Sequence, residues 1–440
     1  MRRPERDDVV TNRWDVVVVG AGPAGATTAL LLARAGASVL LVDRARFPRD
    51  KACSEYLSPA TTEILQRLGG GILDAVEGSA HAKLYGMKVV APCGAAMCGR
   101  FRGGPRPYSF ALPRTTFDTI LVVAAARAGA EVRECVTVEN LVFDHGTVAA
   151  VVGRSGDGKR ETYGSRVVVG ADGLRSVVAR RLGLVRSSPP RRVAFTAHVA
   201  DVAGIDGVGE LHVSERGYVG LGPVGGGITT VALVLPLAAV RHGRRDFRTG
   251  FFDELQRFPG LVGRFDPRCL VRDVLVTGPF AQWSRTAVAP GGGALLVGDA
   301  ADFFDPFTGQ GIYAALRGAE LAAECLIPIL TPCPPLRFGE GGRSEFPLSR
   351  RERGIGGEDR GPLAAVVLAP YARARRREFA GKWLLERLIG VGVGWPALTD
   401  RVVRRLAGRP DLADLLVSAT GNIVPARRVL AASVLVQFLW

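Results

Sequence analysis

Residues 16–25 read Val-Val-Val-Val-Gly-Ala-Gly-Pro-Ala-Gly. The β-branched run predicts a strand, and the glycine-rich turn that follows leads into an apolar helix. Gly20 permits the sharp turn, Gly22 lets the backbone approach a pyrophosphate, and Gly25 lets helix and strand pack closely. We predict that the helix N-terminus, including Ala24, binds phosphate groups, because its free amides and dipole attract anions.

An acidic residue ends the next strand. Asp43 closes a βαβ unit that begins at Trp14, and Arg44 follows it as a further candidate binding residue. A carboxylate at this position accepts hydrogen bonds from ribose hydroxyls and would repel a 2′-phosphate, which favours FAD or NAD over NADP. A glycine-rich turn alone is weak evidence, but strand, helix and acid in register predict a dinucleotide site.

A second motif follows an apolar strand at residues 293–297. It comprises Gly298-Asp299-Ala300-Ala301 and the stretch Asp305–Ile312. NAD is satisfied within one doubly wound domain, whereas FAD has a ribityl chain and a flavin ring that need contacts elsewhere. We expect Asp299 to bind a ribityl hydroxyl. The turn residues Gly309, Gln310, Gly311 and Ile312 would start a helix whose amides face the flavin N1–C2 edge. An ordinary strand–turn–helix connection is the alternative.

Between these motifs lies Gly170-Ala171-Asp172-Gly173-Leu174-Arg175-Ser176, which alone could be a turn. The three motifs, in this order and at these separations, resemble the p-hydroxybenzoate-hydroxylase-like flavoprotein superfamily. Within it the chain is most similar to geranylgeranyl reductases and their relatives. That narrower resemblance rests on Lys51-Ala52-Cys53, on Asp305–Ile312 and on residues Tyr371–Trp383.

The resemblance implies an α/β fold with a discontinuous, Rossmann-type FAD-binding domain, an antiparallel β-sheet domain for the substrate, and C-terminal helices. Arg114 matches the superfamily arginine that contacts FAD, while Asp172 and Arg175 match a motif associated with FAD and nicotinamide pyrophosphates. The implied cofactors are FAD and, as electron donor, NAD(P)H or another reductant. The FAD-binding domain takes residues 14–80, 105–185 and 270–330, the substrate domain 81–104 and 186–269, and the helical region 363–440.

Cys53 is the candidate catalytic residue. Related reductases usually read Cys-Gly-Gly or Cys-Gly here, whereas this chain reads Cys53-Ser54-Glu55. An unperturbed thiol has a pKa of about 8.5, so a nucleophilic role would require a nearby positive charge such as Arg49 or Lys51. Shaping the pocket, relaying a proton, or simple hydrophobic packing are the other interpretations. His198 and His212, in the expected substrate sheet, are each either a general acid or a structural histidine.

Residues 332–362 are rich in Gly, Pro, Arg and Glu and show no periodicity. Such a segment buries too little apolar surface to offset the entropy of ordering its backbone, so we predict a disordered insertion. The following stretch, 363–388, predicts a helix with a break or kink at Pro370. Its four arginines are expected on the solvated side: Arg373, Arg375, Arg376 and Arg377.

The composition is that of a globular protein, with 440 residues, 47% hydrophobic and 22% charged. The net charge is +15, almost all of it from arginine, with no recognised nucleic-acid module. We therefore expect no nucleic-acid partner, but attraction to an anionic membrane surface fits the charge. Seven scattered cysteines predict neither disulfides nor a metal site. With no signal peptide or membrane span expected, the predicted location is cytoplasmic, with peripheral association at the inner face of the membrane.

Three functions fit these motifs. The favoured one is reduction of a C=C bond in a lipophilic, polyketide- or isoprenoid-type molecule by hydride from flavin N5. The alternative is an NAD(P)H-dependent monooxygenase that hydroxylates an aromatic or polyketide substrate. The third, of another class, is a flavin-binding accessory protein without turnover. Halogenation is disfavoured, because the tryptophan-containing motif of flavin-dependent halogenases is absent.

Overall fold

In the computed structural model, β1 and the glycine turn stand at the centre of the first sheet. The structure describes residues 12–189, 191–240, 247–331 and 361–439. The strands of these residues are β1 (Asn12–Val19), β2 (Val39–Val42), β3 (Tyr56–Leu57), β4 (Ala82–Leu84), β5 (Gly86–Val90), β6 (Ala96–Arg100), β7 (Ser109–Ala111), β8 (Glu131–Arg133), β9 (Val136–Asp144), β10 (Thr147–Ser155), β11 (Arg160–Gly170), β12 (Val185–Ser187), β13 (Arg192–Ala200), β14 (Gly209–Ser214), β15 (Gly217–Gly225), β16 (Ile228–Pro236), β17 (Leu270–Thr277), β18 (Gln282–Ser284), β19 (Ala294–Leu296) and β20 (Asp302–Phe303). The α-helices are α1 (Pro23–Arg34), α2 (Pro59–Leu68), α3 (Ile72–Glu77), α4 (Arg114–Arg127), α5 (Val177–Arg181), α6 (Phe247–Leu255), α7 (Gly311–Leu330), α8 (Ala365–Val393), α9 (Pro396–Ala407), α10 (Pro410–Thr420), α11 (Ala426–Val429) and α12 (Ala432–Leu439).

The first sheet has the strand order β8-β2-β1-β11-β10-β9, and β19 also pairs with β11. Strands β8, β2, β1, β11 and β19 are parallel, while β10 and β9 form an antiparallel extension. Helices α4 and α7 both pack against α1, and residues Val16–Val18 are fully buried. Continuous apolar strands of this kind are typical of a parallel sheet covered by helices. The carboxyl ends of β1, β11 and β19, which carry the three motifs, therefore meet at one edge of the sheet.

The second sheet has the order β17-β13-β16-β15-β14-β5-β6 and is antiparallel except for the parallel pair β14 and β5. Side chains alternate between its faces, as the twofold period of a strand requires. On β13 and β16, Phe195 and Leu233 pack on one face against α6, whereas Thr196 and Ala232 line a cavity on the other. The sheet thus presents small and apolar side chains to this cavity.

The C-terminal helices cover the end of the second sheet. Helix α10 packs on β6, and α8 contacts α7, α9 and α11. Two short sheets have the strand orders β3-β7-β4 and β12-β18-β20. Among the described residues, no helix combines the length and the apolar character needed to cross a bilayer.

The predicted α/β class with a Rossmann-type core is confirmed. Strand β17, which the predicted boundary at residue 270 assigned to the FAD-binding domain, instead pairs with β13 in the second sheet. The chain returns to the first sheet only at β19, and the boundary was misplaced because the pairing of β17 with β13 joins strands that are far apart in the chain.

Two predictions for the C-terminal region change. Helix α8 runs through Pro370, its sixth residue, so the predicted break does not occur; the alternative, a kink at this proline, stays a prediction. Arg375 is buried, unlike the neighbouring exposed Arg373 and Arg376, so the expectation that all four arginines are solvated was wrong. The predicted disordered insertion, 332–362, lies outside the described residues except for its last two positions.

Candidate active site

The glycine turn after β1 has the geometry that the sequence predicted. Gly20 has φ +98°, and a Cβ atom there would lie 2.5 Å from the carbonyl oxygen of Ala171. A Cβ at Gly25 would lie 1.8 Å from the carbonyl oxygen of Gly20. Side chains are therefore excluded at both positions by backbone contact. Gly22 differs, since its Cβ would point at the guanidinium groups of Arg49 and Arg114, 3.4 and 3.9 Å away.

Arg49 and Arg114 form a positive cluster beside Gly22. The Nε and Nη2 atoms of the buried Arg114 both donate to the carboxylate of Asp118 at 2.7 Å. The Arg49 Nη1 atom lies 3.0 Å from Asp118 Oδ2. Burial opposes the charge of Arg114, but Asp118 more than offsets this and raises the pKa of the guanidinium. Two guanidinium groups share one carboxylate, so the cluster keeps a net positive charge where a pyrophosphate would approach.

Asp43 lies at the carboxyl end of β2, at the same edge of the sheet. Its Oδ2 accepts a hydrogen bond from the backbone N–H of Ala21 at 2.7 Å, and its Oδ1 accepts one from Ala45 at 2.8 Å. These bonds fix the carboxylate, and each oxygen keeps a lone pair for a ribose hydroxyl. The adjacent Arg44 is exposed.

Asp299 follows β19 and lines the cavity. Its carboxylate is 27% exposed and lies 4.0 Å from Lys51 Nζ. Burial raises the pKa of Asp299, and the nearby ammonium of Lys51 opposes this. Within the described part of the chain, no group donates a hydrogen bond to this carboxylate. Asp299 therefore has its acceptor capacity available towards the cavity, as a ribityl hydroxyl would require.

The first turn of α7 forms the neighbouring wall. Gly309, Gln310, Gly311 and Ile312 all line the cavity. Gly309 has φ +65°, and a Cβ there would meet the ring of Tyr56 at 2.7 Å. The side chain of Gln310 donates to the carbonyl of Thr420 at 3.1 Å, which ties the turn to α10. The helix begins at Gly311, so the positive end of its dipole is directed at the cavity.

These elements enclose one cavity of about 920 Å³. Its wall contains Gly22, Ala24, Cys53, Arg114 and Asp299. The fold thus brings together residues that are far apart in the chain. The opposite wall is the second sheet with α8. The arrangement of glycine turn, positive cluster, free carboxylate and helix N-terminus fits an extended flavin dinucleotide, and the space beyond it fits an organic substrate.

Asp172 and Arg175 do not line this cavity. Asp172 Oδ2 accepts hydrogen bonds from the backbone of Val177 at 2.6 Å and Val178 at 3.3 Å, and it thereby caps α5. Arg175 donates to the carbonyl oxygen of Gly278 at 2.9 Å. Both contacts lie within the protein, so the contacts with FAD and nicotinamide that the resemblance implied for these two residues stay predictions.

Cys53 is partly buried on the cavity wall, where the backbone N–H of Glu55 donates to its Sγ at 3.3 Å. The two histidines are paired with carboxylates and do not line the cavity. His198 Nε2 lies 2.5 Å from Glu55 Oε2, and His212 Nε2 lies 2.6 Å from Glu210 Oε2. These contacts favour the structural interpretation of both histidines.

Helix α8 brings polar groups to the cavity that were not predicted from the sequence. Arg375 donates to Asp302 at 2.7 Å, and the hydroxyl of Thr308 donates to Glu386 at 3.3 Å. Burial raises the pKa of Glu386 to about 8. Burial lowers the pKa of Lys382 to about 7. The sequence did carry a signal for these groups: Lys382 and Glu386 are four residues apart and therefore share one face of the predicted helix, next to Phe379 and Trp383.

Comparison with known proteins identifies the family. A model of the FAD binding domain family matches residues 13–331. The menaquinone reductase of Mycolicibacterium smegmatis is 32% identical over 332 residues, which cover 72% of this chain and 77% of that protein. The digeranylgeranylglycerophospholipid reductase 1 of Methanopyrus kandleri is 32% identical over 329 residues, covering 71% of this chain and 80% of that protein.

Among solved structures, the flavin-dependent brominase Bmp2 superposes with a TM-score of 0.73 at 19% identity, covering 93% of this chain and 94% of that one. A likeness at this identity shows the fold alone. The matches to reductases are closer in sequence, and they support an enzyme over a non-catalytic accessory protein. The chain therefore belongs to the FAD-binding family, as an FAD-dependent oxidoreductase of the branch that includes geranylgeranyl and menaquinone reductases.

Proposed function

We propose that this enzyme reduces a C=C bond in a lipophilic, isoprenoid-type substrate. The observation that carries this proposal is the composition of the cavity wall opposite the flavin motifs. There the second sheet contributes Ala194, Leu221, Ala232 and Val234, and α8 contributes Phe379 and Trp383. These apolar side chains bind hydrocarbon by burial, while the charged side chains that α8 adds, Lys382 and Glu386, can hold a polar end of the same substrate.

FAD would be held by the residues described above. Arg114 and Arg49 would bind the pyrophosphate at Gly22, Asp299 a ribityl hydroxyl, and the first turn of α7 the N1–C2 edge of the ring. Bound and reduced, FAD supplies hydride from N5. NAD(P)H or another reductant would supply the electrons.

Reduction of a C=C bond also needs a proton for the second carbon. Glu386 lies on the cavity wall, and its pKa of about 8 leaves it protonated at neutral pH. We propose that Glu386 gives this proton, with the hydroxyl of Thr308 holding the carboxyl group in place at 3.3 Å. Hydride and proton together add one molecule of H₂ across the double bond, and Glu386 is reprotonated from solvent.

The experiment that tests this function compares product formation with and without oxygen. Menaquinone and a digeranylgeranylglycerophospholipid, the substrates named by its relatives, are the first compounds to try. We expect products that have gained two hydrogens at an isoprenoid C=C bond, and not at the carbonyl groups of a quinone ring, formed equally under anaerobic conditions. Products that gain oxygen, and only in air, would establish the monooxygenase alternative.

We also propose that the enzyme meets its substrate at the inner face of the membrane. The outward face of α8 carries exposed arginine and apolar side chains, whereas the acids of α8, Glu378 and Glu386, are partly buried. The exposed residues on α8 are Arg373, Arg376, Arg377, Arg387, Leu384, Leu388 and Val391, and the exposed Trp395 lies two residues after the end of the helix. Several of them also line the cavity: Arg373, Arg376, Leu384 and Arg387. A basic and apolar helix face suits an anionic bilayer, and here it adjoins the cavity's mouth.

A further inference from the structure

Glu55 lies on the loop between Cys53 and β3, in a backbone conformation that favours glycine. Its φ is +59°, and its side chain is fully buried. A non-glycine residue in the left-handed region persists when surrounding contacts fix it there, and such residues cluster at functional sites. The contacts of the Glu55 side chain therefore indicate which function the left-handed backbone conformation serves.

Four donors surround the Glu55 carboxylate. His198 Nε2 lies 2.5 Å from Oε2, which also accepts a hydrogen bond from the Thr230 hydroxyl. The backbone N–H of Arg114 donates to Oε1 at 3.2 Å, and Arg272 Nη1 lies 3.4 Å from the same oxygen. His198, Thr230 and Arg272 lie on β13, β16 and β17 of the second sheet, and Arg114 lies on α4, which packs beside the first sheet. One carboxylate therefore links the Cys53 loop to both of the large sheets and their helices.

The electrostatics keep this carboxylate charged. Burial raises the pKa of Glu55, but the hydrogen bonds of His198 and Thr230 and the charge of Arg272 outweigh burial and lower it. A charged acceptor makes stronger hydrogen bonds than a neutral one, so the loop is held firmly. Removing the carboxylate would also leave buried donors without their acceptor.

The groups that Glu55 connects surround the cavity. Its own backbone N–H donates to Cys53 Sγ at 3.3 Å. Thr230, on the opposite wall, lines the cavity, as does Thr196, which accepts from Arg272 Nη2 at 3.4 Å. Arg114 is the arginine beside Gly22. The carboxylate thus fixes the distance between the thiol, the positive cluster and the substrate sheet.

We propose that Glu55 is a positioning and specificity-determining residue, which locks the Cys53 loop against the second sheet and sets the cavity's width at Cys53. The inference rests on the proposed use of this cavity for the substrate. In this proposal Cys53 shapes the cavity wall, Glu55 holds it in position, and no chemistry of the Cys53 thiolate is required.

The test uses the holoenzyme and three substitutions. Glu55→Gly removes the carboxylate and relieves the left-handed conformation, Glu55→Gln keeps the shape without the charge, and Thr230→Val removes one donor. A matched control is Glu254→Gln, because Glu254 is a buried carboxylate on α6 that pairs with arginines away from the cavity. The first readout is the rate at which iodoacetamide alkylates Cys53, followed by mass spectrometry of its peptide.

We expect alkylation of Cys53 to accelerate about tenfold or more in Glu55→Gly, less in Glu55→Gln and Thr230→Val, and not at all in Glu254→Gln. KM for the substrate should rise in the same order, with a smaller change in kcat. Wild-type alkylation rates in folded Glu55→Gly, or in the other two variants if Glu55→Gly does not fold, would overturn the proposal. The alkylation assay needs no substrate, so its result stands even if the proposed reductase activity is not found.

Discussion

At the scale of single residues, Asp299 is the most direct test of how FAD is held. Its carboxylate has no hydrogen-bond donor among the described residues, and it faces the cavity. A charge-assisted hydrogen bond to a ribityl hydroxyl contributes about 1.5–3 kcal/mol. We therefore predict that Asp299→Ala weakens FAD binding by about ten- to a hundredfold. Titration of FAD into the apoproteins, followed by flavin fluorescence, measures this.

The control for this titration is Asp253→Ala, which changes an exposed acid on α6. Asp302 is the nearer acid in sequence, but it pairs with the buried Arg375, so its removal would leave a buried charge unpaired. Unchanged FAD affinity in Asp299→Ala would mean that Gly298-Asp299 is only a turn.

Glu386 gives a prediction about pH. Its pKa is raised by burial from 4.5 to about 8, so the folded state binds a proton that the unfolded state releases. The stability from this proton is fully present below pH 4.5 and is lost as pH rises through about 8. In Glu386→Gln this loss cannot occur. The melting temperature of Glu386→Gln, relative to wild type, should therefore rise between about pH 5 and about pH 8.

The comparison with Glu63→Gln, an exposed carboxylate on α2, separates this effect from general charge changes. For that variant the difference in melting temperature should stay nearly constant over the same range. A constant difference for Glu386→Gln as well would contradict the raised pKa, and with it the proton that the proposed mechanism takes from this residue.

At the scale of elements, α8 carries the proposed contact with the membrane. Full burial of a large apolar side chain stabilises by about 1.5–3 kcal/mol. Replacing Leu388 and Trp395 together by serine should therefore weaken binding to vesicles containing phosphatidylglycerol by at least about tenfold. Binding of the wild type to vesicles of phosphatidylcholine alone should be much weaker, because the arginines of α8 gain nothing there. Co-sedimentation with vesicles gives both values.

The matched control replaces Val262 and Val271 by serine. These side chains are 60% and 56% exposed, comparable to Trp395 at 60%, but they lie away from α8. Equal losses of vesicle binding in both double variants would show that α8 has no special role. Self-association of the wild type that the α8 variant abolishes, without vesicle binding, would assign the face to a second copy of the chain.

The connection between α7 and α8 gives another prediction at this scale. Residues 332–360 lie outside the described residues, while Leu363 is anchored by backbone hydrogen bonds to Arg166 and Gly293. A segment of this composition contributes little burial. Replacing 332–360 by a flexible linker of about ten residues should leave the melting temperature and the FAD content unchanged. Loss of folding in that variant would mean that the segment packs.

At the scale of the whole molecule, features that depend on contacts between near neighbours in the chain were predictable from the sequence, and features that depend on the tertiary fold were not. The turns at Gly20 and Gly25 were predictable because short-range backbone contacts require glycine there. The pairing of Glu55 with Thr230 joins residues 175 apart in the chain, and only the tertiary fold brings them together. Likewise, Arg375 resembles its exposed neighbours in sequence, and its burial depends on how α8 packs.

We propose that reduced FAD in this enzyme reduces a C=C bond of the substrate, and the absorption of the flavin itself reports on that step. The holoenzyme is reduced without oxygen, mixed anaerobically with an isoprenoid alkene substrate that carries no quinone ring to accept the electrons, and followed by its visible flavin absorption in a single turnover. We predict that the oxidised flavin spectrum returns at a rate that depends on substrate concentration, with one saturated bond formed per flavin. A flavin that stays reduced with every such substrate and is reoxidised only when oxygen is admitted, with an oxygenated product, would contradict the account.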